Sequence, residues 1–270
     1  MVEAQIVIYT MGTVLLLMNL FIGAYLLIRI RKTGLSNISW LSFYFFSTVI
    51  EFIIRMFYIA LRPSIGVNIF SIIYYIYNLT GHFSLIFFVK YTFYTERKSA
   101  FSLILVSTLV AKFFYVILFI ITELTSSAEL NDLVQGFATF ILFYTSFWLS
   151  FASFSAYYKI KKSKIQPWIK KRYLIVGISA IFLAAQSFPN IMVPYRVSFE
   201  SSLMATLTII ITSLNIIFAV LSLIAWVMPK KLKDYFNRDY SKLEDEEISE
   251  EQLLTQVKKQ LLKGGLNGDS

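Results

Sequence analysis

Glu51 and Arg55 stand four residues apart in a strongly apolar stretch, so on a helix they share one face and can pair. Further along come Asn78, His82 and Lys112, then Gln186, Asn190 and Asn215, each set among Ile, Leu, Phe and Tyr. Ionisable and amide side chains are costly in hydrocarbon, so they turn toward other protein groups and mark binding, switching or proton-relay sites. Each also has a plainer reading. Glu51–Arg55 can be a structural intrahelical pair, His82 a hydrogen-bonded packing residue, and Asn78, Gln186 and Asn215 interhelical glue. Lys112 can pair with a carboxylate or snorkel, though its central position makes snorkelling hard. One histidine and no cysteine leave no multi-His or thiolate metal site and no thiol nucleophile. No carboxylates pair on a helix face for acid–base work, so an enzyme is the least expected class.

The elements that must hold these residues follow from the composition. Of 270 residues 57% are hydrophobic and only 15% charged, and the mean hydropathy is +0.66. A soluble domain carries about 25% charged residues, so this surface is not built for water. Seven apolar runs are each long enough to span a bilayer as a helix: Ile6–Ile30, Ser39–Leu61, Ile69–Phe93, Phe101–Leu124, Leu133–Tyr158, Tyr173–Tyr195 and Leu203–Met228. The expected fold is all-α, an integral-membrane seven-helix bundle over 1–228 with a short amphipathic tail over 229–270. Counting about 1.5 Å per residue from the outer helix ends puts Glu51, Asn78, His82, Lys112, Gln186 and Asn215 at depths of roughly 14–20 Å. That is one layer near mid-membrane. Pro189 and Pro194 are expected to distort the outer half of helix 6 and free carbonyls there.

Basic residues set the orientation. Arg29, Arg31 and Lys32 follow helix 1, and Arg97 and Lys98 follow helix 3. The connection after helix 5 carries Lys159, Lys161, Lys162, Lys164, Lys170, Lys171 and Arg172, and Lys230, Lys231 and Lys233 follow helix 7. The other connections offer only Arg62 and Arg196. The N-terminus is therefore expected outside and the C-terminus in the cytoplasm, in the plasma membrane. The formal net charge of +9 then reflects this bias and attraction to anionic inner-leaflet lipids, not nucleic acid, for which no base-reading motif is present. Within the tail, Leu232, Tyr235 and Phe236 predict a short helix lying along the inner leaflet. An acidic run, Glu244–Glu247, precedes a second helix opened by Ser249 and closed by Gly264-Gly265.

Seven helices with an outside N-terminus, a basic fifth connection and an interfacial Lys230–Tyr240 segment resemble the rhodopsin and G-protein-coupled-receptor layout. Leu203–Met228 holds no lysine, so a retinal Schiff base has no anchor and no cofactor is expected. The chain more loosely resembles prokaryotic seven-helix sensor modules of histidine kinases, through its topology and the Trp226-x-x-Pro229 to Tyr240 exit. What the resemblance implies is a receptor-like sensor that signals to a cytoplasmic partner protein. The alternatives are a small secondary transporter or channel, with the same polar layer as its substrate site, and a non-catalytic scaffold subunit.

Overall fold

The computed structural model describes residues 2–65, 73–74, 76–94, 100–125, 127–162, 165–192 and 202–238, and every regular element among them is a helix. The tail helix expected beyond Ser249, the acidic run and Lys164 lie outside the described residues. In chain order the helices are α1 (Val2–Thr33), α2 (Ile38–Ile65), α3 (Thr80–Phe93), α4 (Phe101–Thr125), α5 (Ala128–Ile160), α6 (Pro167–Ala185), α7 (Phe188–Ile191), α8 (Ser202–Val227) and α9 (Lys230–Phe236). Five of the described helical stretches are long and apolar enough to cross a membrane: Ile6–Lys32, Phe101–Thr125, Ala128–Ile160, Pro167–Ile191 and Ser202–Val227. A shorter apolar stretch, Ile38–Ile54, opens α2. The length and apolarity of these helices suit a multi-pass membrane protein.

Their packing closes a ring. Helix α1 lies on α2, α2 on α3, α3 on α5, α5 on α6 and α6 on α8, and α8 returns to α1. Helix α4 sits outside this ring against α5 and α3. Its buried residues Ile104, Thr108, Ala111, Tyr115, Phe119 and Thr122 recur every three or four positions, which is one helical stripe. The opposite face shows Leu103, Val106, Val110, Phe113 and Ile117 to the surroundings. An apolar face of that extent is at home in lipid.

Two helix pairs are joined by the same device. Ser42 on α2 donates to the Gly23 carbonyl of α1 at 2.8 Å, and Ser150 on α5 donates to the Gly177 carbonyl of α6 at 2.9 Å. Four residues after each serine a phenylalanine lies over the same glycine. A Cβ on Gly23 would meet Phe46 at 3.1 Å, and one on Gly177 would meet Phe154 at 3.0 Å. Between apolar helices in lipid, close approach and an interhelical hydrogen bond supply the association that water would otherwise drive.

Helix ends follow local chemistry. Gly34, at φ +68°, closes α1 with its N–H on the Ile30 carbonyl at 2.9 Å. Ser127 caps α5 by accepting the Leu130 N–H at 3.3 Å. Helix α6 starts at Pro167, six positions before the expected Tyr173, because proline suits the first helical turn, where no N–H is needed. It also stops early. Pro189 disfavours helical geometry before it, and the chain turns at Gln186–Ser187 before the short α7. The expected distortion is thus a turn within one apolar stretch, where the Ser187 carbonyl accepts the Asn190 N–H at 3.1 Å and the Thr139 hydroxyl at 3.2 Å, while Pro194 lies outside the described residues.

Candidate functional site

The polar centre is organised by an interruption in the chain ahead of α3. Asn78 still closes a helical bond to the Tyr74 carbonyl, but Leu79 adopts a left-handed backbone with φ 64° and ψ 2°. A residue with a Cβ pays about 1–2 kcal/mol there. The expected continuous helix over Ile69–Phe93 is therefore broken among its described residues, and two peptide groups lose helical partners.

Neighbouring helices replace them. Glu51 of α2 accepts the Leu79 N–H at 3.3 Å. Lys112 of α4 donates to the Asn78 carbonyl. The Asn78 side-chain amide donates to the Tyr115 hydroxyl at 2.6 Å, and the Lys112 ammonium lies 5.0 Å from the Tyr115 ring centre. Leu79 itself is buried with Ala111 and Tyr115 of α4 and Ile141 and Leu142 of α5, so packing holds the strained residue in place. Glu51 and Lys112 are close enough to act electrostatically on one another. An anion and a cation thus grip the two sides of one interrupted turn.

One turn on, buried His82 places Nδ1 3.1 Å from the Thr145 hydroxyl of α5. Its ring meets Tyr44 of α2 edge-on at 5.5 Å, and Tyr44 packs on Phe218 of α8. Two buried hydroxyls on these same helices, Ser47 on α2 and Ser146 on α5, have no hydrogen-bond partner. The site offers a carboxylate, an ammonium, an imidazole and an unwound backbone within an aromatic wall. That set can bind a small polar or zwitterionic group, or pass protons. Among the described residues no three His, Cys, Asp or Glu side chains gather as a metal would require.

Of the residues expected to form the layer, Glu51, Asn78, His82 and Lys112 come together. The Arg55 side chain, and with it the expected Glu51–Arg55 pair, lies outside the described residues. Gln186 stands at the bend between α6 and α7, its side-chain Oε1 buried without a hydrogen-bond partner, and Asn190 lies within α7. Asn215 donates to the Ile211 carbonyl of its own helix at 3.2 Å. Tyr115 was not singled out by sequence, although it stands three positions from Lys112 on the same face.

The basic residues divide in two. Lys161, Lys162, Lys230 and Lys231 are exposed, Lys171 is half-buried, and Lys170 donates to the Lys161 carbonyl at 3.1 Å. Arg172 corrects the expectation of a surface residue, since only 2% of it is exposed. The early start of α6 puts it in the second turn, facing α8, where its Nε donates to the Ala225 carbonyl at 3.1 Å. Its guanidinium lies 4.7 Å from the Trp168 ring and 5.5 Å from that of Trp226. Arg29, counted above with the first connection, is likewise buried and donates to the Trp226 carbonyl. Two arginines thereby cap consecutive carbonyls at the negative end of α8.

Helix α9 also departs from expectation. Leu232 and Phe236 turn into the cluster of Ile160, Trp168, Tyr173 and Met228, while Tyr235 points away. Lys233 stands 4.4 Å from the Trp168 ring, and Asn237 accepts the Trp168 N–H at 3.4 Å. The segment is docked on the end of the bundle through one face. The chain matches no known protein family, no curated protein and no solved structure.

Proposed function

We propose that this chain is a seven-span membrane sensor of receptor type, with its N-terminus outside and its C-terminus in the cytoplasm, in the plasma membrane. The observation that carries the reading is the interrupted turn at Asn78–Leu79, gripped by Glu51 on one side and Lys112 on the other. Such a turn has two natural arrangements. In one, Lys112 stays on the backbone carbonyl. In the other, a ligand with its own acceptor takes the ammonium, and the left-handed Leu79 relaxes. A ligand shifts such an equilibrium only through different affinities for the two arrangements, and a charged clamp on a strained residue supplies that difference. The Lys159–Arg172 connection and the tail would present the change to a cytoplasmic signalling protein.

A discontinuous helix with charged groups beside it is also how secondary transporters build their midplane sites, so transport is the second reading. One experiment serves both. The detergent-purified protein is heated with a library of metabolites, lipids and ions, beside Glu51→Gln and Lys112→Met. A ligand that raises the wild-type midpoint by about 3 °C or more, but neither variant's, supports a site at the turn. Uptake of that ligand into vesicles assigns transport, and its absence assigns sensing. If no compound separates wild type from the variants, both readings fail.

A further inference from the structure

Helix α9 is docked through one side, and its other side is a surface of different character. Leu232 and Phe236, four apart, face Ile160, Trp168, Tyr173 and Met228. Lys230, Lys231, Asp234 and Tyr235 recur at spacings of three and four away from that contact, all of them exposed, and Arg238 is exposed directly beyond the helix. Tyr235 is 67% exposed. The apolar pair that was expected to enter the leaflet is therefore taken up by the bundle. The free side instead carries three cations, one carboxylate and one tyrosine.

The neighbours of α9 fix its level. It opens three residues after Val227, where the spanning-length stretch Ser202–Val227 ends. Ile160, which ends the stretch Ala128–Ile160, packs in the same cluster as Leu232 and Phe236. Asn237 accepts the N–H of Trp168, the second residue of the stretch Pro167–Ile191, at 3.4 Å. Three helices of membrane-crossing length thus have an end where α9 lies. The polar layer of a bilayer adds roughly 5–8 Å on each side of the hydrocarbon, and a helix seated on those ends lies in that layer. Tyr158, in the last turn of α5, is 69% exposed, and Lys161 and Lys162 are exposed directly after it. At the other end of α5 the exposed charges are Glu129 and Asp132.

We propose that the free side of α9, with Lys230, Lys231, Tyr235 and Arg238, is a binding surface for the anionic phospholipid headgroups of one leaflet. The inference does not depend on the clamp at Asn78–Leu79. It needs no pocket, because headgroups meet an open, solvated face. Each lysine or arginine near an anionic leaflet strengthens association about fivefold, and three cations outweigh the single carboxylate of Asp234. Tyrosine suits this level, since its ring enters the acyl boundary while its hydroxyl stays among the headgroups. An acidic protein could meet the same cations, but at the ends of spanning helices lipid is the neighbour already in place.

The test uses the full chain. In neutral detergent, native mass spectra give its affinity for phosphatidylglycerol and, as the zwitterionic control, phosphatidylcholine. Wild type is compared with Tyr235→Ala and with the double variant Lys230→Gln, Lys231→Gln. These side chains are exposed, so the variants leave the contacts of Leu232 and Phe236 in place. The chain has no cysteine, so Asp234→Cys accepts a single spin label on the free side of α9, to be read in bilayers with and without phosphatidylglycerol. The expected result is a preference for phosphatidylglycerol that falls about tenfold or more in the double lysine variant, and weaker binding of both lipids in Tyr235→Ala. The label should be shielded from a water-soluble nickel chelate and open to oxygen when phosphatidylglycerol is present. Equal affinity for the two lipids overturns the surface, as does a double variant that keeps the full preference. A label as open to the chelate in the anionic bilayer as in detergent does so too. Binding of poly-glutamate without any preference between the lipids would reassign the face to an acidic protein and overturn the proposal.

Discussion

The turn at Asn78–Leu79 and the end of α8 solve the same problem with the same tool, yet they are built for different ends. In both, backbone carbonyls leave a helix inside the bundle and a cationic side chain takes them up: Lys112 on Asn78, Arg29 on Trp226 and Arg172 on Ala225. At the turn the cation is a lysine, faces a carboxylate from α2, and grips a residue held in a strained conformation. At the end of α8 the cations are two arginines, of which Arg172 lies over the Trp168 and Trp226 rings, and Pro229 keeps α8 from continuing. A balanced pair on a strained residue can exchange partners. A pair of forks on a finished helix end cannot do so without undoing the packing. The first holds a strained turn between opposite charges, and the second fixes three helices together.

The largest effect expected from this comparison is at Arg172. Arg172→Met removes a cap and two cation–π contacts from a buried position, and should cost about 3–5 kcal/mol, read as a fall in thermal midpoint. Arg172→Lys should recover only part, because an ammonium lacks the planar fork. Full recovery by lysine would erase the distinction between the two regions.

The turn should be softer and more coupled. Lys112→Met leaves the Asn78 carbonyl without its donor, at about 1–3 kcal/mol, while also removing a charge that is expensive to bury. Glu51→Gln should cost a similar amount, and the double variant should lose less than the two single losses together, by about 1 kcal/mol or more. Strict additivity would mean that Glu51 and Lys112 do not work as one clamp.

Much of this was legible in the residues. Long apolar runs announced the helices, and Glu51, Asn78, His82 and Lys112 were readable as one layer because depth along a helix is simple counting. What counting cannot supply is rotation and interruption. Nothing at Leu79 marks a left-handed residue, since neither glycine nor proline stands there, and it is the pocket between α4 and α5 that holds the turn. Arg172 and Arg29 read as surface charge because their burial depends on where α6 starts and on which face α1 gives to α8. Gln186 and Asn215 shared the expected depth with the site residues, yet one ended at a bend and the other bonds within its own helix.

Smaller effects separate the packing devices from the charged ones. Ser42→Ala and Ser150→Ala each remove one interhelical hydrogen bond and should cost about 0.5–1.5 kcal/mol. The two should be nearly equal and additive, because they sit in different helix pairs. A large inequality would show that one of the two serine–glycine contacts is merely incidental to packing.

The smallest effect concerns Lys233, and its sign matters more than its size. Burial, then Arg172 and Arg29, keep the Lys233 ammonium below its ordinary 10.5 in the folded chain. The folded state therefore releases this proton sooner than the unfolded chain does. Stability should rise as pH climbs from the folded value toward 10.5, and the gain is absent at lower pH. Because the side chain is partly in water, screening holds the effect to about 0.5 kcal/mol or less. Lys233→Gln should remove this alkaline rise and leave the protein at neutral pH as stable as wild type, or slightly more so. A midpoint for Lys233→Gln that falls below wild type at neutral pH would place Lys233 with Arg172 as a plain structural contact on the Trp168 ring.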